Sequence, residues 1–194
     1  LLDPMVGSVV AMASYPSYDP NESIGGFSFE QWTVLNDPAN DLPMFNRAIQ
    51  GEYAPGSTFK LFTAHAAWHE EVFGVGAVPR ADDPWDDPGA YVLRACGDVD
   101  PTDPPPGCWY RNAGEKQYER VDLTRSLTVS SDVYYYRIGE SIYTNPGHPD
   151  TAIQDAATEY GLGLESGITL PFEQDGYLPT PTNRRLRHEG NPVA

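Results

Sequence analysis

Ser57-Thr58-Phe59-Lys60 sets a hydroxyl and an amine three residues apart. If these residues open a helix, the two side chains lie on one face about a turn from each other. A serine is a poor nucleophile until a neighbouring base takes its proton, and a lysine can be that base where burial lowers its pKa toward neutrality. The start of a helix adds free N–H groups and the positive end of the dipole, which favour the charge that develops on an attacked carbonyl oxygen. The chemistry implied is acyl transfer through Ser57. Taken alone the pattern is weak, because Ser-x-x-Lys arises by chance roughly once in a chain of this length. A solvated helix start is the plain alternative. Ser130-Ser131-Asp132 offers two more hydroxyls and a carboxylate, and by itself would be read as a helix cap.

The elements that must carry these residues follow from turn chemistry and periodicity. Residues 51–56 form a turn, and from Ser57 to about Val72 Gly and Pro are absent, which predicts the best helix of the chain. Ser57 or Thr58 stands where its N-cap belongs, and Phe59, Leu61, Phe62, Ala66, Trp68 and Val72 would bury it nearly all round. Asp122 caps a short helix ending near Val129, a second runs from Val133 to about Tyr143, and a third opens at Asp150 or Thr151 and stops at Gly161-Leu162-Gly163. Residues 1–13 predict a hairpin, and Pro16 and Pro20 begin an irregular stretch that reaches about Asn46. Residues 77–114 predict loop with one strand at 90–94, and residues 168–171 a short strand and turn. Together they suggest a helical subdomain resting on a sheet.

Composition narrows the partners. With 28 acids, 12 Lys and Arg, and a net charge of −16, the chain lacks the clustered cations that phosphate binding needs, which excludes nucleic acid. The acid-rich stretches 82–87 and 98–103 read as solvated loop surface. No apolar run approaches the roughly 20 residues that span a bilayer. Cys96 and Cys108 flank a Gly/Asp/Pro-rich segment and either pair or stay free. Two Cys fall short of a structural zinc site, and His65 and His69, spaced i, i+4, lack a further ligand at metalloprotease spacing, so no metal or other cofactor is expected. A disulfide is the expected state, and it implies an oxidising, extracytoplasmic compartment. Both ends, Leu1-Leu2-Asp3 and the polar run 184–190, are expected to be cuts in a longer chain.

The segment Asn46-Arg47-Ala48-Ile49-Gln50-Gly51-Glu52-Tyr53-Ala54-Pro55-Gly56-Ser57-Thr58-Phe59-Lys60 closely resembles the active-site segment of penicillin-binding proteins, in which Ser-x-x-Lys is joined by a Ser-x-Asn type triplet and a Lys-Thr-Gly element. Ser130-Ser131-Asp132 supplies the triplet, with Asp where Asn is commoner. That variant resembles the class B, elongation-type group, penicillin-binding protein 2. So do Leu2-Asp3-Pro4, the run from Ala11 to Asn21, Gly161-Leu162-Gly163 and Gly176-Tyr177-Leu178-Pro179. The likeness extends from residue 1 to about 180, apart from the acidic Cys-bearing loop between Asp98 and Cys108.

The resemblance implies an α/β (α+β) fold of the penicillin-binding protein and serine β-lactamase type, an antiparallel sheet with flanking helices and a helical subdomain, here incomplete. Residues 1–194 would be a partial transpeptidase domain without the Lys-Ser/Thr-Gly strand, since Lys116 precedes Gln117 and the family's third motif lies beyond the Gly-x-Leu-Pro region. By resemblance Ser57 is the nucleophile, Lys60 the base, Ser130 a proton relay to the leaving amine, and Asp132 a hydrogen-bonding partner of the lysine and the substrate. The implied activity is peptidoglycan D,D-transpeptidation on stem peptides ending in D-Ala-D-Ala, with β-lactams acylating the same serine and no cofactor. The implied partner is a membrane glycan polymerase of the elongation machinery. The implied address is the extracytoplasmic face of the bacterial cell membrane, reached through an N-terminal anchor outside this chain. A serine β-lactamase fits less well, because of the long preamble before Ser57. A non-catalytic β-lactam sensor should lack the segment Tyr15 to Asn21.

Overall fold

The computed structural model describes residues 1–72, 85–100 and 102–184. The chain divides into two compact units, residues 1–53 with 164–177, and residues 54–163 with 178–194. The loop expected from Ala77 is therefore outside the described residues as far as Pro84, as is nearly all of the polar run at 184–190.

In the first unit, Leu2 and Val9 make one antiparallel bridge, so the predicted hairpin is a single rung rather than a ladder. The stretch predicted to be irregular holds helix α1, Phe29–Leu35. Ser28 and Gln31 form a capping box that satisfies two orphan N–H groups at its start. Helix α2, Arg47–Gln50, follows, capped by Asn46. The Ser14 hydroxyl donates to the Phe45 carbonyl and accepts from the Arg47 N–H. Residues 168–171 form bends and turns, not the predicted strand. Instead the Gln174 N–H donates to the Ile49 carbonyl at 2.8 Å.

Among the described residues, the second unit mixes helices with two small antiparallel sheets, in keeping with the expected fold class. Helix α3 covers Lys60–His69. Strands β1, Trp85–Asp87, β2, Ala90–Val92, β3, Trp109–Arg111, and β4, Tyr118–Val121, pair as β1 with β4 and β2 with β3. Helices α4, Leu123–Val129, α5, Asp132–Thr144, and α6, Ala152–Glu159, lie within two residues of the predicted boundaries, and Asp122 caps α4. Ala64, Ala66 and Ala67 of α3 share a core with Tyr134, Tyr135, Ile138 and Ile142 of α5 and Ala152 and Ala156 of α6. Small side chains on α3 and α6 let these helices approach closely, so the bulk of the apolar payload comes from α5. Helix α3 is consequently one-sided: Leu61 is 59% and Trp68 54% exposed, against the all-round burial expected from their types.

A register shift between Asp86 and Asp87 interrupts the β1–β4 pairing, and β1 is exposed at Asp86 but buried at Asp87. A bulge re-aims a side chain in this way. Gly89 follows with φ +84°, and a Cβ there would come within 2.8 Å of the Gln117 side chain, so both conformation and space require glycine. The connection from β2 to β3 is closed by a Cys96–Cys108 disulfide with Cα atoms 5.9 Å apart.

Candidate active site

The chain enters the site through Gly56, whose φ of +56° is the left-handed region that glycine adopts at least cost. A 3₁₀ turn over Gly56–Phe59 then leads into α3, with the Lys60 N–H donating to the Ser57 carbonyl. Neither predicted cap is used, because residues 57 and 58 are already helical and the Thr58 hydroxyl donates back to Pro55 at 2.7 Å. Ser57 is exposed, and among the described residues its hydroxyl makes no hydrogen bond. Lys60, one turn on, is buried.

The Lys60 ammonium has three protons to donate, and three acceptors receive them. Nζ lies 2.7 Å from the Ser130 carbonyl, 3.0 Å from Ser130 Oγ and 2.6 Å from Asp132 Oδ1. The Tyr135 ring adds a π face, with its centroid 5.8 Å from Nζ. Two motifs 70 residues apart in sequence are thus joined at one nitrogen. The structure brings Lys60, Ser130 and Asp132 together, and places Ser57 a turn before Lys60 at the exposed start of the helix.

Local chain geometry sets this arrangement. Helix α4 ends at Ser130 in a left-handed conformation, φ 57°, and the Ser131 N–H closes the turn on the Ser126 carbonyl. A non-glycine residue in this region carries about 1–2 kcal/mol of strain. The reversal lets α5 begin two residues later, so Ser130 and Asp132 both reach Lys60. Ser131 between them is fully buried and caps α5, accepting from the Tyr134 N–H at 3.0 Å.

Beneath the motif lies a buried polar cluster. Asp87, 3% exposed, accepts from the Ser131 hydroxyl at 2.5 Å, from the Gly89 N–H at 2.8 Å and from the Asn112 amide at 3.0 Å. Three donors are what a buried carboxylate needs to remain tolerable. Asp87 therefore departs from the solvated surface expected of the acid-rich stretch. Asn112, also buried, accepts through Oδ1 from the Asp132 and Val133 N–H groups at 2.8 and 3.0 Å. The next N–H, that of Ala113, donates to Asp132 Oδ2 at 3.2 Å.

Helix α5 is also tied to the disulfide-closed hairpin. Glu140 accepts from the Tyr91 hydroxyl at 2.5 Å and the Arg94 N–H at 2.7 Å. Burial raises the pKa of Tyr91, and the Glu140 carboxylate pushes it further. Burial likewise raises Tyr135, against a smaller opposing effect of its hydrogen bond to Ser126. Tyr136 is raised by burial and then by the Asp132 charge.

The histidines lead elsewhere. His65 contacts Glu159 at 3.2 Å and the Tyr160 hydroxyl at 3.3 Å, and His69 contacts Glu70 at 3.1 Å. Among the described residues no group of three or more His, Cys, Asp or Glu is placed to hold a metal, and no helix is long and apolar enough to cross a membrane.

Comparison with known proteins gives the family. Residues 1–80 and 96–191 match the family described as penicillin binding protein transpeptidase domain. Peptidoglycan D,D-transpeptidase MrdA of Escherichia coli (strain K12) is 30% identical over 187 residues, 92% of this chain and 24% of that protein. The chain thus spans about a quarter of that relative's length. Pseudomonas aeruginosa PBP2, solved in complex with WCK 5153, superposes with a TM-score of 0.69 at 26% identity, covering all of this chain and 38% of that one. A chain of a peptidoglycan synthase complex, solved for the structural coordination of polymerization and crosslinking, superposes with a TM-score of 0.71 at 28% identity, covering 96% of this chain and 28% of that one. The likeness to penicillin-binding protein 2 expected from the motifs is met, and the chain belongs to the penicillin-binding protein transpeptidase domain family.

Proposed function

We propose that this chain carries the nucleophile half of a peptidoglycan D,D-transpeptidase site, with Ser57 as nucleophile and Lys60, Ser130 and Asp132 as its proton-handling group. The observation that carries the proposal is the position of Lys60 Nζ between Ser130 and Asp132, on the helix that Ser57 begins. Ser57 Oγ attacks the carbonyl of the penultimate D-Ala of a stem peptide, and its proton passes to the neutral amine of Lys60. The C–N bond then breaks, and the terminal D-Ala leaves after its nitrogen takes a proton through the Ser130 hydroxyl. The amine of a neighbouring strand attacks the acyl carbonyl, the bond from that carbonyl to Ser57 Oγ breaks, and the proton the amine loses returns to Oγ.

Because all three Lys60 protons are donated in the resting site, Lys60 must first give one up, and one of its three contacts must be exchanged for Ser57. The Asp132 carboxylate, 2.6 Å from Nζ, is the group in reach to take that proton. A family element of the Lys-Ser/Thr-Gly type, absent from residues 1–194, would complete the oxyanion and carboxylate contacts, so the 194-residue chain by itself should acylate slowly. We assign the domain to the extracytoplasmic face of the bacterial cell membrane, beside a membrane glycan polymerase. The disulfide fits that address.

Deacylation separates this function from its two rivals. In the full-length protein the penicilloyl-enzyme should be long-lived while stem peptides are cross-linked. Rapid release of penicilloate would indicate a β-lactamase, and acylation without cross-linking a sensor.

A further inference from the structure

Asn112 touches none of the four residues assigned chemistry through their reactive side-chain atoms, yet it holds the peptide backbone on which Asp132 stands. Its amide is fully committed. Oδ1 takes the two N–H groups of Asp132 and Val133, and Nδ2 donates to both oxygens of Asp87 and to the Lys116 carbonyl at 2.9 Å. The planar amide thus couples β1 to the first turn of α5, and because Asp87 also holds Ser131, the motif is gripped on both sides of the Ser131–Asp132 peptide. The Ala113 N–H completes the grip by donating to Asp132 Oδ2, which leaves Oδ1 for Lys60.

We propose that Asn112 is a positioning residue for acyl transfer, resting on the roles proposed above for Ser57 and Lys60. Its side chain, oriented by the buried carboxylate of Asp87, fixes Asp132 so that one carboxylate oxygen orients the Lys60 amine toward the Ser130 hydroxyl. Rotation of Asn112 would leave two helix N–H groups without their acceptor and take one of three donors from the buried Asp87 carboxylate, so the amide has one favourable setting. Asp132, about one-quarter exposed, has no comparable burial to hold it.

The test is the saturation kinetics of acylation by a fluorescent penicillin, measured on the full-length protein and counted per labelled site. A role in stability alone lowers the number of sites that label, not the rate constant at saturation. Asn112→Leu should lower that rate constant about 100-fold, the scale of an ångström of misplacement, with the half-saturating concentration moved less than about threefold. Asn112→Asp keeps the shape and the acceptor but sets a carboxylate against Asp87, and should be impaired comparably. Adding Asp87→Asn restores an amide opposite a carboxylate and should return at least about tenfold of the lost rate.

A saturated rate unchanged in both single variants, or a double variant no faster than Asn112→Asp, would overturn the proposal. If Asn112→Leu does not fold, the near-isosteric Asn112→Asp and its swap carry the test. Ser57→Ala run alongside separates the two levels: undiminished labelling there sinks the nucleophile assignment, whereas loss of labelling there with normal Asn112 variants sinks only this proposal.

Discussion

Ser130 and Ser131 are chain neighbours with opposite surroundings: the Ser130 hydroxyl accepts from Lys60 at 3.0 Å, while the fully buried Ser131 hydroxyl donates to Asp87 at 2.5 Å. One adjoins the proposed proton-handling group and the other the scaffold, so their alanine variants should fail differently. Ser131→Ala removes the shortest of the donors to the buried Asp87 carboxylate and the hydroxyl that caps α5, and should cost about 1–3 kcal/mol of stability, while the protein that does fold keeps most of its penicillin labelling. Ser130→Ala should remain folded and lose acylation rate. Thermal melts beside labelling rates check both, and the reverse pattern would mean that the two hydroxyls have been assigned the wrong way round.

The left-handed backbone at Ser130 gives a second contrast. Alanine and glycine both remove the hydroxyl, but only glycine is at ease at φ 57°. Ser130→Gly should therefore be about 1 kcal/mol more stable than Ser130→Ala, with acylation equally slow in both. Equal denaturation midpoints would show that the turn is not strained.

For the Cys96–Cys108 bridge, the expectation is a loop closed across 12 residues and worth about 3 kcal/mol in the chain-entropy account. Non-reducing peptide mapping of protein made in an oxidising compartment should recover the linked pair, and the double serine variant should melt lower. Two free thiols would remove the bridge and weaken the extracytoplasmic assignment.

Alkaline pH should probe Tyr135. Burial holds its pKa above the ordinary 10.0, so its neutral phenol contributes stability that is complete below pH 10 and is lost as pH rises through the folded value. Denaturant midpoints should hold up to about pH 10 and then decline, less steeply in Tyr135→Phe. An equally steep decline in the variant would place the linkage at other groups, such as Tyr91 and Tyr136, whose pKa values are also raised.

What the sequence disclosed was local in origin. The Ser57–Lys60 spacing, the Asp122 cap and the Gly161 stop each act within a turn or two, and the helices they imply are present. The Ser28–Gln31 capping box was equally local, but the Pro and Gly around it masked a short helix. Asp87 and Asn112 were not legible. Their importance comes from a bulge in the β1–β4 pair and a hydrogen bond across 25 residues, and nothing near Asp87 distinguishes it from the acids on solvated loops. The exposure of Leu61 and Trp68 was hidden for a related reason: which face of α3 is covered depends on where α5 and α6 dock, and they dock on its alanines.

The most direct measurement is the site of the acyl bond. Full-length protein treated with benzylpenicillin, digested and examined by mass spectrometry should carry one penicilloyl group on Ser57, and Ser57→Ala should carry none. An adduct on Ser130 or Ser131, or undiminished acylation of Ser57→Ala, would contradict the assignment of Ser57 as nucleophile.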